Sequence, residues 1–280
     1  MRALQAVGLT ILLMIFLSLP VLLFYLITEN WNISVQSNYY QHALLLEAAS
    51  FLIGYGAIFY WFWKPKIDKG IFSGFLVLDL RILFWIIIMI IGYSRATQPF
   101  WDFSKMIDFY KNPDFEFSRN FSYQKDIFYY LYDAMGAVLL APVFEELFFR
   151  QFLLRKLLEK YKPILAIATS SFCFALIHVD NPRNLIPSFF FGIICSLLYL
   201  KTRKIRYAIF FHITSNLLVT VFNWFGEDFY NWQDAMQFDF MYWSLSLFGA
   251  LLVILGIKNI YENEKIDWLN MKNPFQEEET

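Results

Sequence analysis

Long apolar runs separated by short polar turns recur along the chain, at the length a helix needs to cross a membrane. A helix rises 1.5 Å per residue, so a hydrocarbon core of ~30 Å takes roughly 20 mostly apolar residues. The runs predict eight spans, Leu4 to Thr28, Ala43 to Trp63, Ile71 to Tyr93, Ile127 to Phe149, Ile164 to His178, Ile186 to Leu200, Tyr207 to Trp224 and Met241 to Ile257. The expected fold class is therefore all-α, a polytopic membrane protein. Internal repeats, low-complexity tracts and Gly/Ser-rich linkers are missing from the sequence, so residues 1–280 read as a single integral membrane domain. The first run follows a lone Arg2, exceeds a signal-peptide core in length and has no small-residue cleavage site after it, so it reads as a retained span.

Composition agrees with that pattern. Hydrophobic residues make up 58% of the chain and charged ones 17%, with a mean hydropathy of +0.45, beyond what a soluble domain carries. A net charge of -1 offers no basic surface, which removes nucleic acid as a partner. Cys173 and Cys195 lie in apolar runs without metal-ligand spacing and read as small core residues. Aromatic clusters such as "YWFWK" read as interfacial anchors, and the tail "FQEEET" as a solvated end.

Basic turns alternate with uncharged or acidic ones. Lys64, Lys66 and Lys69 follow the second run, Arg155, Lys156, Lys160 and Lys162 the fourth, and Lys201, Arg203, Lys204 and Arg206 the sixth. The connections Glu29 to Gln41 and Gly226 to Asp239 contain no Lys or Arg. By the positive-inside rule the basic turns and both termini are cytoplasmic, in a plasma-membrane protein. The connection Arg95 to Asp126 is mixed in charge and falls outside by this count. Sequons at Asn32 and Asn120 matter only in a secretory pathway.

Ionisable groups inside hydrocarbon are costly unless paired or facing water, so each is a functional-site hypothesis by default. In "APVFEELFFRQ", Glu146 and Arg150 share a helix face at i, i+4 and can pair, whereas Glu145 is rotated away and stays unclaimed. Phe174 and His178 stand one turn apart on the next run, and His212 and Asn216 one turn apart on the seventh. Taken singly, such residues are as readily packing groups or interhelical glue. His42, at a predicted outer boundary, reads as surface, and Asp79 with Arg81 as structural or interfacial. A tight hairpin turning near Tyr161 and Lys162 would set Glu145 level with His178. His212 meets them only if that hairpin protrudes about 12 Å further, at 1.5 Å per residue, and the amphipathic stretch "QFLLRKLLEKYK" supports such protrusion. The polar "VDNPRN" after His178 implies a hydrated cavity beside it.

The succession E-E-x-x-x-R, F-x-x-x-H and H-x-x-x-N on separate apolar helices resembles the CAAX protease and bacteriocin-processing (CPBP, or Abi) family of intramembrane endopeptidases. The resemblance covers roughly Ala134 to Val221, a motif-bearing core at residues 134–221, with Glu145, Glu146, Arg150, Phe174, His178, His212 and Asn216 at the motif positions. It implies eight helices around a conical cavity open to the cytoplasm, a peptide or protein substrate that is lipidated in some members, and surrounding lipid. In that reading Glu145, oriented with His178, deprotonates a water for attack on a peptide carbonyl, and His212 with Asn216 stabilises the oxyanion. Glu146 with Arg150 fixes the helix, and Phe174 orients the site. A zinc reading competes, with Glu145, His178 and His212 as a His₂Glu ligand set. The shared face of His212 and Asn216, a poor zinc ligand, favours the metal-free version. A transporter or proton relay, or a non-catalytic immunity or scaffold protein on the same fold, are the alternatives from other classes. The relay is disfavoured because the ionisable groups gather at one depth and no matching broken helices suggest inverted repeats.

Overall fold

The computed structural model describes residues 1–30, 39–63, 78–112 and 127–261. The chain is an all-α, polytopic integral membrane protein. Its long helices are α1 (Ala3–Asn30), α2 (Tyr39–Ile58, continued by a π-wound turn Phe59–Trp63), α3 (Leu80–Trp101), α5 (Ile127–Leu158), α7 (Leu185–Thr202), α8 (Ile205–Phe225) and α10 (Phe240–Ile260). Shorter helices are α4 (Phe103–Lys111), α6 (Pro163–Leu176) and α9 (Glu227–Asp234). Among the described residues seven helices are long and apolar enough to cross a membrane, and α6 is apolar but shorter.

The expected runs match these helices with two shifts. The third run does not begin a described helix at Ile71, because residues 71–77 lie outside the described residues. Instead α3 starts at Leu80, where the Asp79 side chain caps it by accepting the Arg81 amide at 2.8 Å. It runs on to Trp101, so Ser94, Arg95, Thr97 and Gln98 are helical rather than loop. The fourth run continues to Leu158. Past Gln151 it is two-sided, with Leu154, Leu157 and Leu158 buried and Lys156 exposed. Both sequons, the turn at Lys64, Lys66 and Lys69, and the tail "FQEEET" lie outside the described residues.

Small residues set the closest helix approach. Helices α3 and α10 cross where Gly92 meets Gly249, and a Cβ at either position would stand 2.6 Å from the other's carbonyl oxygen. Apolar side chains gain little by leaving lipid, so such backbone proximity is a main source of attraction between membrane helices.

One end of the bundle collects the basic turns. The Met1 amine donates to the Lys156 carbonyl at 3.0 Å, the Ala3 amide to the Tyr161 hydroxyl, the Asp79 amide to the Tyr207 hydroxyl and the Tyr261 hydroxyl to the Leu197 carbonyl. These bonds tie the starts of α1, α3 and α8, the ends of α5, α7 and α10, and the cations Lys156, Lys160, Lys201, Arg203 and Lys204 into one layer. Both ends of the described chain, Met1 and Tyr261, lie there. The opposite end holds α4, α9 and the turn after α6.

Candidate functional site

The local winding of α5 sets the site. Ala134–Leu140 and Leu147–Leu154 are π-wound and flank a short α-helical stretch, Ala141–Glu146. In π-winding an amide donates five residues back, as Ala141 does to the Gly136 carbonyl. The next residue is Pro142, which has no N–H, so the Ala137 carbonyl loses that donor. Asn216 supplies it from α8, its Nδ2 donating to the Ala137 oxygen at 2.6 Å. A proline in α5 and an asparagine 74 positions later are thus one structural unit.

Glu146 and Arg150 do pair, with Nη1 3.1 Å from Oε1 and both side chains wholly buried. The guanidinium carbon also lies 4.4 Å over the Phe174 ring, a cation–π contact strengthened by the dry surroundings. The same Glu146 oxygen lies 2.9 Å from His212 Nδ1. A salt-bridged carboxylate accepts, so Nδ1–H donates and His212 Nε2 is the nitrogen left over. That nitrogen stands 3.9 Å from Glu145 Oε2, too far for a hydrogen bond. Glu145 is 6% exposed, and its Oε2 has no hydrogen-bond partner. It is unclaimed by the Glu146–Arg150 pair, as the helix geometry requires.

His178 Nδ1 lies 3.0 Å from the Phe174 carbonyl. A carbonyl only accepts, so Nδ1 carries the proton and Nε2 faces outward. The His178 and His212 rings flank Phe174 at centroid distances of 5.0 and 5.8 Å, and Phe191 closes over His212 at 4.7 Å. Glu146, Arg150, Phe174, His178 and His212 therefore meet in one contact network with Glu145 beside His212, while Asn216, one turn from His212, is bonded to Ala137.

The contacts distribute differently from the expected roles. Glu145 is paired by distance with His212, not His178, because His178 is anchored to its own helix end. Asn216 has one amide hydrogen committed to Ala137 and keeps the other. Among the described residues no three His, Cys, Asp or Glu side chains form a group that could hold a metal ion. The set Glu145, His178 and His212 does not form such a group here, since His178 does not join the other two.

A cavity of about 710 Å³ adjoins this cluster, lined by Phe174, His178, Phe191, His212, Asn216 and Ala137 at its inner part. Of its lining residues Trp101, Asn181, Arg183, Val219 and Asn223 are exposed, Asn181 and Arg183 in the turn after α6 at the end opposite the basic layer and Val219 along α8. The polar turn after His178 does line the cavity, as its sequence implied.

Several site neighbours escaped the sequence reading. Glu47 sits inside the second apolar run, with its carboxylate against the backbone of Gly136, where any Cβ would collide with it. Asp133, in the fourth run, lines the cavity and accepts from Trp224 Nε1 at 2.8 Å. Both carry the very signal used for the motifs, a lone carboxylate in an apolar run. Asp102 is a hub at the outer part, with Oδ2 accepting from Gln98, Gln233 and Tyr242 at 2.9, 3.1 and 3.0 Å. It joins helices far apart in sequence, which no local pattern encodes. His42 is half-buried, with its ring 6.2 Å from that of Phe24. Cys173 and Cys195 are free and buried, as read.

Neither the curated proteins nor the solved structures include a match to the chain. Residues 127–218, the stretch that contains every motif residue from Glu145 to Asn216, match the family model described as Type II CAAX prenyl endopeptidase Rce1-like, in keeping with the CAAX protease family that the motifs resemble.

Proposed function

We propose that the chain is an intramembrane endopeptidase that hydrolyses a peptide bond with a water activated between Glu145 and His212. The observation that carries this reading is the 3.9 Å gap between Glu145 Oε2 and His212 Nε2. It is too long for a direct bond and short enough for one water to contact both groups. Glu145 takes a proton from that water as the oxygen attacks the peptide carbonyl carbon, and returns it to the departing amine as the C–N bond breaks. Glu146 accepts from His212 Nδ1 and fixes the ring, while Arg150 neutralises Glu146, an arrangement of carboxylate and imidazole familiar from other hydrolases. His178, on the far side of Phe174, offers Nε2 to the substrate. Asn216 holds α8 to α5 and keeps its second amide hydrogen for the bound peptide.

The substrate is a peptide or protein segment entering the cavity from the membrane, and a lipidated one fits the matched family best. Residues 1–280 act as one membrane domain around the core at 134–221. The protein resides in the plasma membrane with its basic layer and both termini cytoplasmic, which sets the cavity mouth on the outer side.

The test is incubation of the purified protein in proteoliposomes with prenylated and unmodified peptides, read by mass spectrometry. New termini at one peptide bond are expected from the wild type. Intact peptides throughout, with flux of protons or solutes across the same vesicles, would return the assignment to a transporter.

A further inference from the structure

We infer that Tyr93, in α3 and outside the matched stretch 127–218, is a positioning residue for His212, acting through Phe191. This rests on the endopeptidase reading and extends its site to a helix that carries none of the motifs.

His212 is held by a hydrogen bond at one nitrogen, where Nδ1–H donates to Glu146 at 2.9 Å. One such bond leaves the ring free to pivot, because the torsion of an imidazole has broad wells. A pivot would change the 3.9 Å between Nε2 and Glu145 Oε2. The plane of the ring is therefore set by the aromatic rings on its flanks. Phe191 is the nearer, edge-on at 4.7 Å with an interplanar angle of 66°, against 5.8 Å for Phe174. Where Phe191 sits decides where Nε2 points.

Tyr93 meets Phe191 in two ways. Its ring stands edge-on to the Phe191 ring at 5.5 Å, and to Phe211, the residue before His212, at 6.3 Å. Its hydroxyl donates to the Pro187 carbonyl at 2.9 Å. Pro187 lies one turn ahead of Phe191 in α7, so the same oxygen is the helical acceptor for the Phe191 amide. A carbonyl has two lone pairs and accommodates both donors. Tyr93 thus grips the backbone turn that carries Phe191 as well as its ring. It does so from a fixed helix, since the adjacent Gly92 packs α3 against α10 at Gly249. Beside Phe191, α7 has little room to give way toward α6, because a Cβ on Gly192 would stand 2.8 Å from the Ser171 Cβ. Direct contacts therefore run unbroken from α3 through Phe191 to the imidazole.

The experiment uses the full chain with Tyr93→Leu and Tyr93→Phe, and two readouts. In peptide hydrolysis, Tyr93→Leu is expected to lower kcat by roughly 10- to 100-fold, the effect of a small displacement of a reacting group, with KM held within about twofold. Tyr93→Phe keeps the ring and loses only the bond to Pro187, and is expected to lower kcat by about 2- to 10-fold. The second readout is the magnetic resonance of labelled imidazoles. The chain has three histidines, so the His212 signal is assigned by its loss in His212→Gln. That signal is expected to shift in Tyr93→Leu and, by less, in Tyr93→Phe. An unmoved His212 signal overturns the proposal whatever the rates, and so does a moved signal with an unchanged kcat. Tyr93 also lines the cavity, so a rise in KM alone would make it a wall of the substrate site and overturn the proposal as well. Should Tyr93→Leu fail to fold, Tyr93→Phe decides by the same two readouts. Should the wild type hydrolyse nothing, the endopeptidase reading falls, and the His212 signal alone decides whether Tyr93 sets the imidazole.

Discussion

Glu146 and His212 meet across 66 residues of sequence, Oε1 to Nδ1 at 2.9 Å, and the same oxygen holds Arg150 at 3.1 Å. One buried carboxylate thus neutralises a guanidinium and fixes an imidazole, tying α5 to α8 at the site.

The energetic consequence is asymmetric. Burying a charge pair costs about as much as its attraction returns, but removing one partner strands the other in a dry interior at about 3–5 kcal/mol. Arg150→Met is therefore expected to destabilise the fold by that amount, and Arg150→Met with Glu146→Gln by distinctly less. Unfolding of the reconstituted single and double variants in mixed micelles measures the difference. Equal losses in both would show that the pair has no charge-specific role.

Asn216 and Pro142 form a second testable unit. Asn216→Leu leaves the Ala137 carbonyl without its 2.6 Å donor, and is expected to cost about 1–3 kcal/mol, the penalty for an orphaned buried acceptor. Pro142→Ala restores an amide that can donate to the same oxygen. In that background Asn216→Leu should cost about 1 kcal/mol less, a coupling that a double-mutant cycle resolves. Simple additivity would mean that the two residues act independently.

These relationships mark where the sequence was legible. Spans were readable because hydrocarbon permits only helices whose backbone is satisfied internally, so an apolar run of sufficient length has one structural outcome. The Glu146–Arg150 pair followed from helical spacing alone. The exclusion of Glu145 from it also followed, and its Oε2 is left without a hydrogen-bond partner. The choice of His212 over His178 beside Glu145 was hidden, because it depends on a three-helix approach and on His178 bonding its own helix end. The bond from Asn216 to Ala137 was hidden for a related reason. Its partner carbonyl exists only because α5 is π-wound ahead of Pro142, and winding of that kind leaves no mark in hydrophobic periodicity.

Sidedness follows from the same helices. Arg203 is exposed in the basic layer and Asn223 is exposed at the cavity mouth, near opposite ends of α8. Single cysteines at these positions should react with an impermeant maleimide from opposite faces of the membrane, with Arg203→Cys protected in right-side-out cells by the positive-inside rule. Labelling of both from one face would contradict the arrangement of α8. The reverse assignment would retain the bundle and turn its cavity toward the cytoplasm.

The central claim is that the Glu145 carboxylate takes the proton from the attacking water, and the most direct measurement is the hydrolysis rate of Glu145→Gln beside the wild type on a cleaved peptide. A general base typically contributes about 10²- to 10⁴-fold, so kcat should fall by that factor while the melting temperature stays near that of the wild type. A variant that folds normally and cleaves at the wild-type rate would contradict the account.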